Sequence, residues 1–334
     1  MPSHGETGAM STLQSSGIEG IDRIAYGVED LAACRRFFLD WGLRLVGERA
    51  DGLDFESLNG CEIAIRRADD PALPPAVEAG PTLREVVWGV GSEADLAALR
   101  PVLSGHPGFA EADGVLSCID PNGIGIAFRV SRKRPVEVAG TPTNGWGRAM
   151  RIDQPAAIYD RAEPVEVGHV VFFTEALVET TRFYESLGFR LSDRYPGRGH
   201  FLRCSTRGGH HDLFLLQPPG AKRGLNHVAF TVRDIHEVIG GGLQMSRCGW
   251  ETQLGPGRHP ISSALFWYFK NPAGALVEYY ADEDVLTENW QPRDFEPGPT
   301  MFAEWAIAGG IDGNTRRQKS AAAPEPAKFI TAKR

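Results

Sequence analysis

Long apolar runs are missing from this chain: no window approaches ~18 uninterrupted apolar residues, which excludes a membrane-spanning helix. Paired cysteines are missing too. Cys34, Cys61, Cys118, Cys204 and Cys248 stand singly, without a CxxC pair or a dense framework. They read as reduced thiols that fill apolar space, not as a disulfide scaffold. No basic stripe exists either. Lys and Arg total 35 against 43 Asp and Glu, giving a net charge of −8, which argues against nucleic acid as a partner. The opening stretch MPSHGETGAMSTLQSSG has neither a basic start nor an apolar core. It is not a secretory signal, and the expected compartment is the cytoplasm. What remains is an ordinary globular balance, 42% hydrophobic and 23% charged over 334 residues, which rules out disorder throughout and predicts roughly two domains.

The organisation follows from punctuation and repetition. Residues 1–17 are small and polar and 311–334 mix Ala, Pro and charge without periodicity, so both are expected to be disordered tails. Pro135, Gly140, Pro142, Pro155 and Pro164 break up residues 133–164. That stretch is the expected linker between an N-terminal domain, 18–132, and a C-terminal domain, 165–285, with an extension over 286–310. The two halves resemble each other. At an offset of 146, Leu31, Arg36, Phe37, Gly42, Arg44 and Leu45 match Leu177, Arg182, Phe183, Gly188, Arg190 and Leu191. This spacing is far too long for a solenoid repeat and points to two copies of one domain.

Each copy reads as an apolar strand (21–28; 167–173), a short helix, and three further strands (43–48, 55–58, 62–66; 189–194, 199–205, 212–217). Asp30 is placed to cap the first helix, and Gly42 and Gly188 sit where a left-handed residue ends a helix. The pattern then restarts in each half: 85–90 precedes the helical AALRPVL segment, and 227–232 precedes a helix over 235–245. The glycines at 240–242 weaken that last helix. The fold class predicted is α+β: two domains, each of paired βαβββ modules forming a curved mixed sheet with helices on the outside.

Seven of the nine histidines fall in the second half: His169, His200, His210, His211, His227, His236 and His259. Packing alone would not concentrate imidazoles in one of two similar sheets. His169 opens a strand in VGHVVFF, His227 opens the equivalent strand in LNHVAFTV, and Glu278 lies in the apolar strand ALVEYYAD. A buried carboxylate without a partner costs several kcal/mol, so Glu278 requires a cation or strong donors. Two imidazoles and one carboxylate from adjoining strands could form a facial triad, a ligand set that suits Fe(II) and leaves positions open for substrate and O₂. Read singly, a strand histidine is a satisfied core residue, but that reading would have to hold at three equivalent strand positions. The first half supplies a control: its counterparts are Arg23, Glu85 and Ala127, which together could not hold a metal. His200 and His236 are read as structural.

On these residues the sequence resembles the vicinal oxygen chelate (glyoxalase, bleomycin resistance and dioxygenase) superfamily, and within it the two-domain type I extradiol ring-cleaving dioxygenases, over about residues 18–300. The resemblance implies that His169, His227 and Glu278 ligate Fe(II), with Mn(II) as an alternative, and that the substrates are a catechol-type diol and O₂. It also implies three further site residues. One member of His210-His211 stands in the strand before the second ligand, with Asp212 favouring His211, since alternation lets one of them face inward. His259 lies 19 residues before the carboxylate and Tyr268 lies 10 before it. Taken alone, His259 reads as an exposed loop residue and Tyr268 as a core aromatic. The resemblance instead implies that Tyr268 and His259 hold the diol as a monoanion while His211 stabilises charge on oxygen and donates a proton. A homo-oligomer is expected.

Residues 290–305 are proline-rich, aromatic and not periodic, and are expected to form a pocket wall or lid. Other readings of the scaffold are a glyoxalase-type isomerase or epimerase, a relative of the 4-hydroxyphenylpyruvate dioxygenases, or a non-catalytic binding protein of the bleomycin-resistance kind. The first needs a fourth protein ligand, the second a terminal helix with a phenylalanine-rich motif, and the third usually lacks the triad.

Overall fold

The computed structural model describes residues 17–220, 222–296 and 302–308. Apart from Gly17, the tails expected at 1–17 and 311–334 lie outside these residues, as does His4. In the first half the elements are β1 (Ile18–Val28), α1 (Leu31–Asp40), β2 (Arg44–Arg49), β3 (Gly52–Glu56), β4 (Glu62–Arg67), β5 (Thr82–Val90), α2 (Glu93–Leu103), β6 (Ala110–Ala112), β7 (Val115–Ile119) and β8 (Gly125–Val130). The second half repeats the order with β9 (Glu166–Phe173), α3 (Leu177–Ser186), β10 (Arg190–Tyr195), β11 (Gly199–Arg203), β12 (Leu213–Leu216), β13 (Gly224–Thr231), α4 (Ile235–Arg247), β14 (Thr252–Arg258), β15 (Leu265–Lys270) and β16 (Leu276–Ala281). Two short strands close the described chain, β17 (Arg293–Asp294) and β18 (Trp305–Ala308).

Each half is one mixed sheet with two helices on one face, the predicted α+β class. The first sheet has the order β2-β3-β4-β1-β5-β8-β7-β6, and the second β17-β10-β11-β12-β9-β13-β16-β15-β14-β18. In every module the last strand returns parallel to the first (β1 with β4, β5 with β8, β9 with β12, β13 with β16), and modules join through the antiparallel pairs β1–β5 and β9–β13. No helix among the described residues is long and apolar enough to cross a membrane.

Local chemistry accounts for the helix boundaries. The Asp30 carboxylate accepts from the Ala33 backbone N–H at 2.8 Å, and Gly42 and Gly188 take φ values of +94° and +98° just past α1 and α3. The glycines of α4 do not break the helix, because they let it lie close on its sheet. A Cβ at Gly242 would stand 2.0 Å from the Trp267 ring, and one at Gly241 would stand 2.6 Å from the Ala162 side chain. Between β8 and β9 the chain forms no strand or helix, only an isolated bridge between Gly145 and Arg148.

The helix faces of both sheets share one continuous apolar core. Trp41 stacks on Tyr279 with centroids 3.5 Å apart, and the Tyr279 hydroxyl donates to the Trp41 carbonyl at 2.7 Å. Tyr184 donates to the buried Asp120 at 2.8 Å. The C-terminal extension is more ordered than its lack of periodicity predicts: β17 runs parallel to β10 and β18 antiparallel to β14. One terminal segment therefore covers both edges of the ten-stranded sheet.

Candidate metal centre

Strand alternation decides which side chains reach the concave face of the second sheet. In β9, Val170 and Phe172 join the helix-side core while His169 and Val171 line a cavity on the opposite face. In β16, Val277 and Tyr279 face the helices and Glu278 faces the cavity. Register then brings the ionisable groups together, because Ala229 of β13 lies opposite His169 on one side and Glu278 on the other. His227 sits two residues along β13 on the same face.

The result is a tight cluster. His169 Nε2 lies 3.2 Å from His227 Nε2, and Glu278 Oε2 lies 3.3 Å from the first and 3.2 Å from the second. All three residues are buried. The His227 Nδ1–H donates to the Asn226 side-chain oxygen at 2.6 Å, which leaves the Nε2 lone pair aimed at the cluster. Burial pushes His169 down to about 3, and the neighbouring His211 ring adds to that. Burial likewise lowers His227, so both imidazoles are neutral. Burial alone would raise Glu278, but the adjacent His169, His227 and His259 hold it well below the usual carboxylate range. Neither oxygen of this ionised, buried carboxylate has a hydrogen-bond donor in bonding geometry. A cation would supply what is missing, and separations of 3.2–3.3 Å suit three donors that each stand about 2.1 Å from one ion.

The counterpart positions in the first sheet have the same register, with Val87 opposite both Arg23 and Ala127. There Arg23 forms an ion pair with Glu85. A guanidinium thus occupies the place of the cluster.

The other expected site residues gather around the three. Tyr268 is buried and lies 3.1 Å from His259 Nε2. His259 is not an isolated loop side chain: its ring stacks on Phe266, and its Nδ1–H donates to the Phe302 carbonyl at 2.6 Å. His211 lines the cavity with its ring 4.2 Å from that of His169, whereas His210 is turned away and fully buried against Asp193. His200 bonds Thr181 of α3 outside the cluster. A second possible ligand group, His169, His211 and Glu283, shares His169 with the first. Its Glu283 carboxyl is pushed up by burial, whereas Glu278 is held well below the usual range, so the first group carries the stronger anionic donor.

Five residues of this neighbourhood escape sequence reasoning: Asn226, Asp193, Glu283, Arg293 and Phe302. Asn226, one position before a suspected ligand, had the clearest local signal. The cavity has a volume of about 470 Å³ and mainly apolar walls, among them Val171, Phe201, Phe214, Leu216, Pro218 and Ile261, with Arg198 also on its lining. Phe302 of the C-terminal segment contributes to the wall.

Comparison with known proteins gives a concordant picture. Residues 166–279 match the model of the Glyoxalase/Bleomycin resistance protein/Dioxygenase superfamily. Metapyrocatechase 2 of Cupriavidus necator is 31% identical over 224 residues, covering 64% of this chain and 67% of the relative. A 2,2',3-trihydroxybiphenyl dioxygenase of Sphingomonas paucimobilis is 30% identical over 132 residues, 37% of this chain and 44% of that one. Among solved structures, the Mn(II)-bound glyoxalase from Novosphingobium aromaticivorans shares the fold with a TM-score of 0.70 at 23% identity, covering 94% of this chain and 98% of its own.

Proposed function

The chain belongs to the glyoxalase/bleomycin resistance protein/dioxygenase superfamily and is an extradiol dioxygenase within it, and from that premise we propose that it opens a substituted catechol with O₂ on Fe(II) held by His169, His227 and Glu278. One observation carries the proposal: three donors converge on one point beneath an apolar cavity, and Tyr268, His259 and His211 surround that point. The chemistry that Fe(II) supplies there is to gather both diol oxygens and O₂ on one centre and pass electron density between them. Mn(II) fits the same donors.

The side chains then divide the proton work. Burial, reinforced by the Glu278 charge, raises Tyr268 well above the ordinary phenol range, so its hydroxyl stays protonated and can donate to a substrate oxygen. The Nδ1–H of His259 is committed to the Phe302 carbonyl, so its Nε2 is an acceptor in the neutral ring. Together they favour a diol that has lost one proton and kept the other. His211 lies beside His169, away from Tyr268, where it can stabilise charge developing on oxygen and return a proton as the O–O bond breaks. Both oxygen atoms enter the product, a ring-opened semialdehyde or related muconate.

The volume and apolar lining of the cavity exceed what a bare catechol fills, and they favour a diol that carries a second ring or a bulky apolar substituent. The test is anaerobic reconstitution with Fe(II) or Mn(II), followed by O₂ uptake with catechol and 3-phenylcatechol. The expected result is turnover with a higher kcat/KM for 3-phenylcatechol. No uptake with any diol on metal-loaded protein would refute the reading. His227→Ala is expected to retain little metal and to lose O₂ uptake.

The proposal includes a self-associating enzyme that acts in the cytoplasm. Self-association is supported by the arm between β8 and β9, where Trp146 (106%), Ile158 (90%) and Ile152 (75%) are exposed without an interior to cover them. Light scattering on Trp146→Ser should show a smaller assembly than the parent.

A further inference from the structure

The side chains behind His211 form a chain of polar groups that catalysis at the metal does not itself require. His211 Nδ1 lies 3.2 Å from His210 Nδ1. His210 Nε2 lies 2.9 Å from Asp193 Oδ2. Asp193 in turn accepts the backbone N–H of Arg293 at 2.8 Å and its guanidinium at 2.6 Å. Arg293 comes from β17 and lies over the rings of Trp290 and Phe295, while Trp290 is anchored by donating to the Ser192 carbonyl at 2.8 Å. His210 and Asp193 are completely buried, while the Arg293 side chain reaches the surface.

Proton inventory fixes the direction of every bond. Asp193 faces donors of Arg293 on both oxygens and is held below the usual carboxylate range: burial opposes this, and His210 and Arg293 outweigh it. An ionised Asp193 only accepts, so His210 must donate from Nε2. Burial lowers His210 to about 4, so the ring is neutral and its Nδ1 is a lone pair. His211 must therefore donate from its own Nδ1.

We propose that Asp193 and His210, pinned by Arg293 of the C-terminal segment, are positioning residues that hold His211 in the Nδ1–H form and turn its Nε2 lone pair toward the cavity. This rests on the reading of His211 as the proton carrier of the site. His211 then meets the bound diol as an acceptor and, after taking up a proton from it, becomes a donor toward oxygen. The C-terminal segment serves His259 in the same manner through the Phe302 carbonyl. Both histidines that flank the metal-binding cluster thus owe their orientation to residues beyond β16.

The experiment is imidazole ¹⁵N NMR on metal-free protein labelled at histidine, with His211 assigned through a His211→Gln variant. The expected wild-type spectrum has the proton of His211 on Nδ1 and that of His210 on Nε2. A proton on Nε2 of His211 overturns the proposal, and this measurement needs no variant to fold. In Asp193→Asn, Arg293 retains the amide oxygen and the amide NH₂ faces His210, so both rings are expected to exchange tautomers. Its kcat should fall roughly 10²-fold, with KM and the Mn(II) dissociation constant unchanged, because Asp193 touches neither the cavity nor the ligands. A variant that keeps the wild-type tautomers overturns the chain through His210. If the tautomers reverse as expected but neither protein consumes O₂ with any diol, the positioning chain stands and the dioxygenase assignment of the site falls.

Discussion

Asn226 illustrates how much a single side chain does at this site. Its oxygen takes the Nδ1 proton of His227 and so settles which nitrogen of that ring is free for a cation. Outer partners of this kind typically change metal affinity 10–100-fold. Asn226→Ala is accordingly expected to weaken Mn(II) binding by about 10-fold or more, measured by titration calorimetry, while the fold persists. Tyr268→Phe separates the other function. It removes a hydroxyl that lies against His259 and belongs to no possible ligand group, so metal content should be retained while kcat falls about 10²-fold. Loss of metal in that variant would move Tyr268 into the ligand set. From sequence, His169, His227 and Glu278 are conspicuous because each is an ionisable group in an otherwise apolar strand. Asn226 and Asp193 are not, because Asn at a strand entry and Asp in a polar strand look like ordinary turn and surface residues.

Elements with a strong period were legible in the same way. The four strand–helix modules, the Asp30 cap and the left-handed glycines after α1 and α3 follow from spacing alone. Two features did not. The glycines of α4 carry a poor intrinsic propensity, yet the helix runs through them because its partners Trp267, Tyr279 and Ala162 leave no room for side chains. Gly242→Ala should therefore destabilise the protein by about 1–3 kcal/mol through overpacking, against a propensity gain of about 1 kcal/mol; a raised Tm in thermal unfolding would contradict this. The strands β17 and β18 have no period of their own. Two and four residues long, they exist because β10 and β14 offer unpaired edges, and such a partner far away in the chain cannot be read from local pattern.

At the scale of the whole molecule, duplication makes the division of labour visible. The two sheets share topology and register, and where one presents two imidazoles and a carboxylate the other closes the position with the Arg23–Glu85 ion pair. The cost of the functional sheet appears on the acid side. His169 and His210 titrate near 3 and 4 in the folded chain, below the ordinary 6.5, so the unfolded chain binds their protons first. Their share of stability is complete above about pH 6.5 and is lost as pH falls toward the folded values, about 2 kcal/mol each at pH 5. Buried carboxyls run the other way: burial raises Asp120 to about 6 and also raises Glu185, Asp212 and Glu283, so their cost relaxes on acidification, while His106, His200 and His227, lowered by burial, add to the imidazole side. Metal-free protein should therefore lose about 5 °C or more of Tm between pH 7.5 and pH 5, with net proton uptake on unfolding in calorimetry. A Tm independent of pH would mean that these imidazoles are not buried and neutral.

The placement of β17 and β18 at opposite margins of one sheet also has a consequence for truncation. A chain cut just after β16 keeps His169, His227 and Glu278 and loses Arg293 and Phe302, the partners of Asp193 and His259. Such a chain is expected to keep its affinity for a cation while it loses the contacts that orient the flanking histidines.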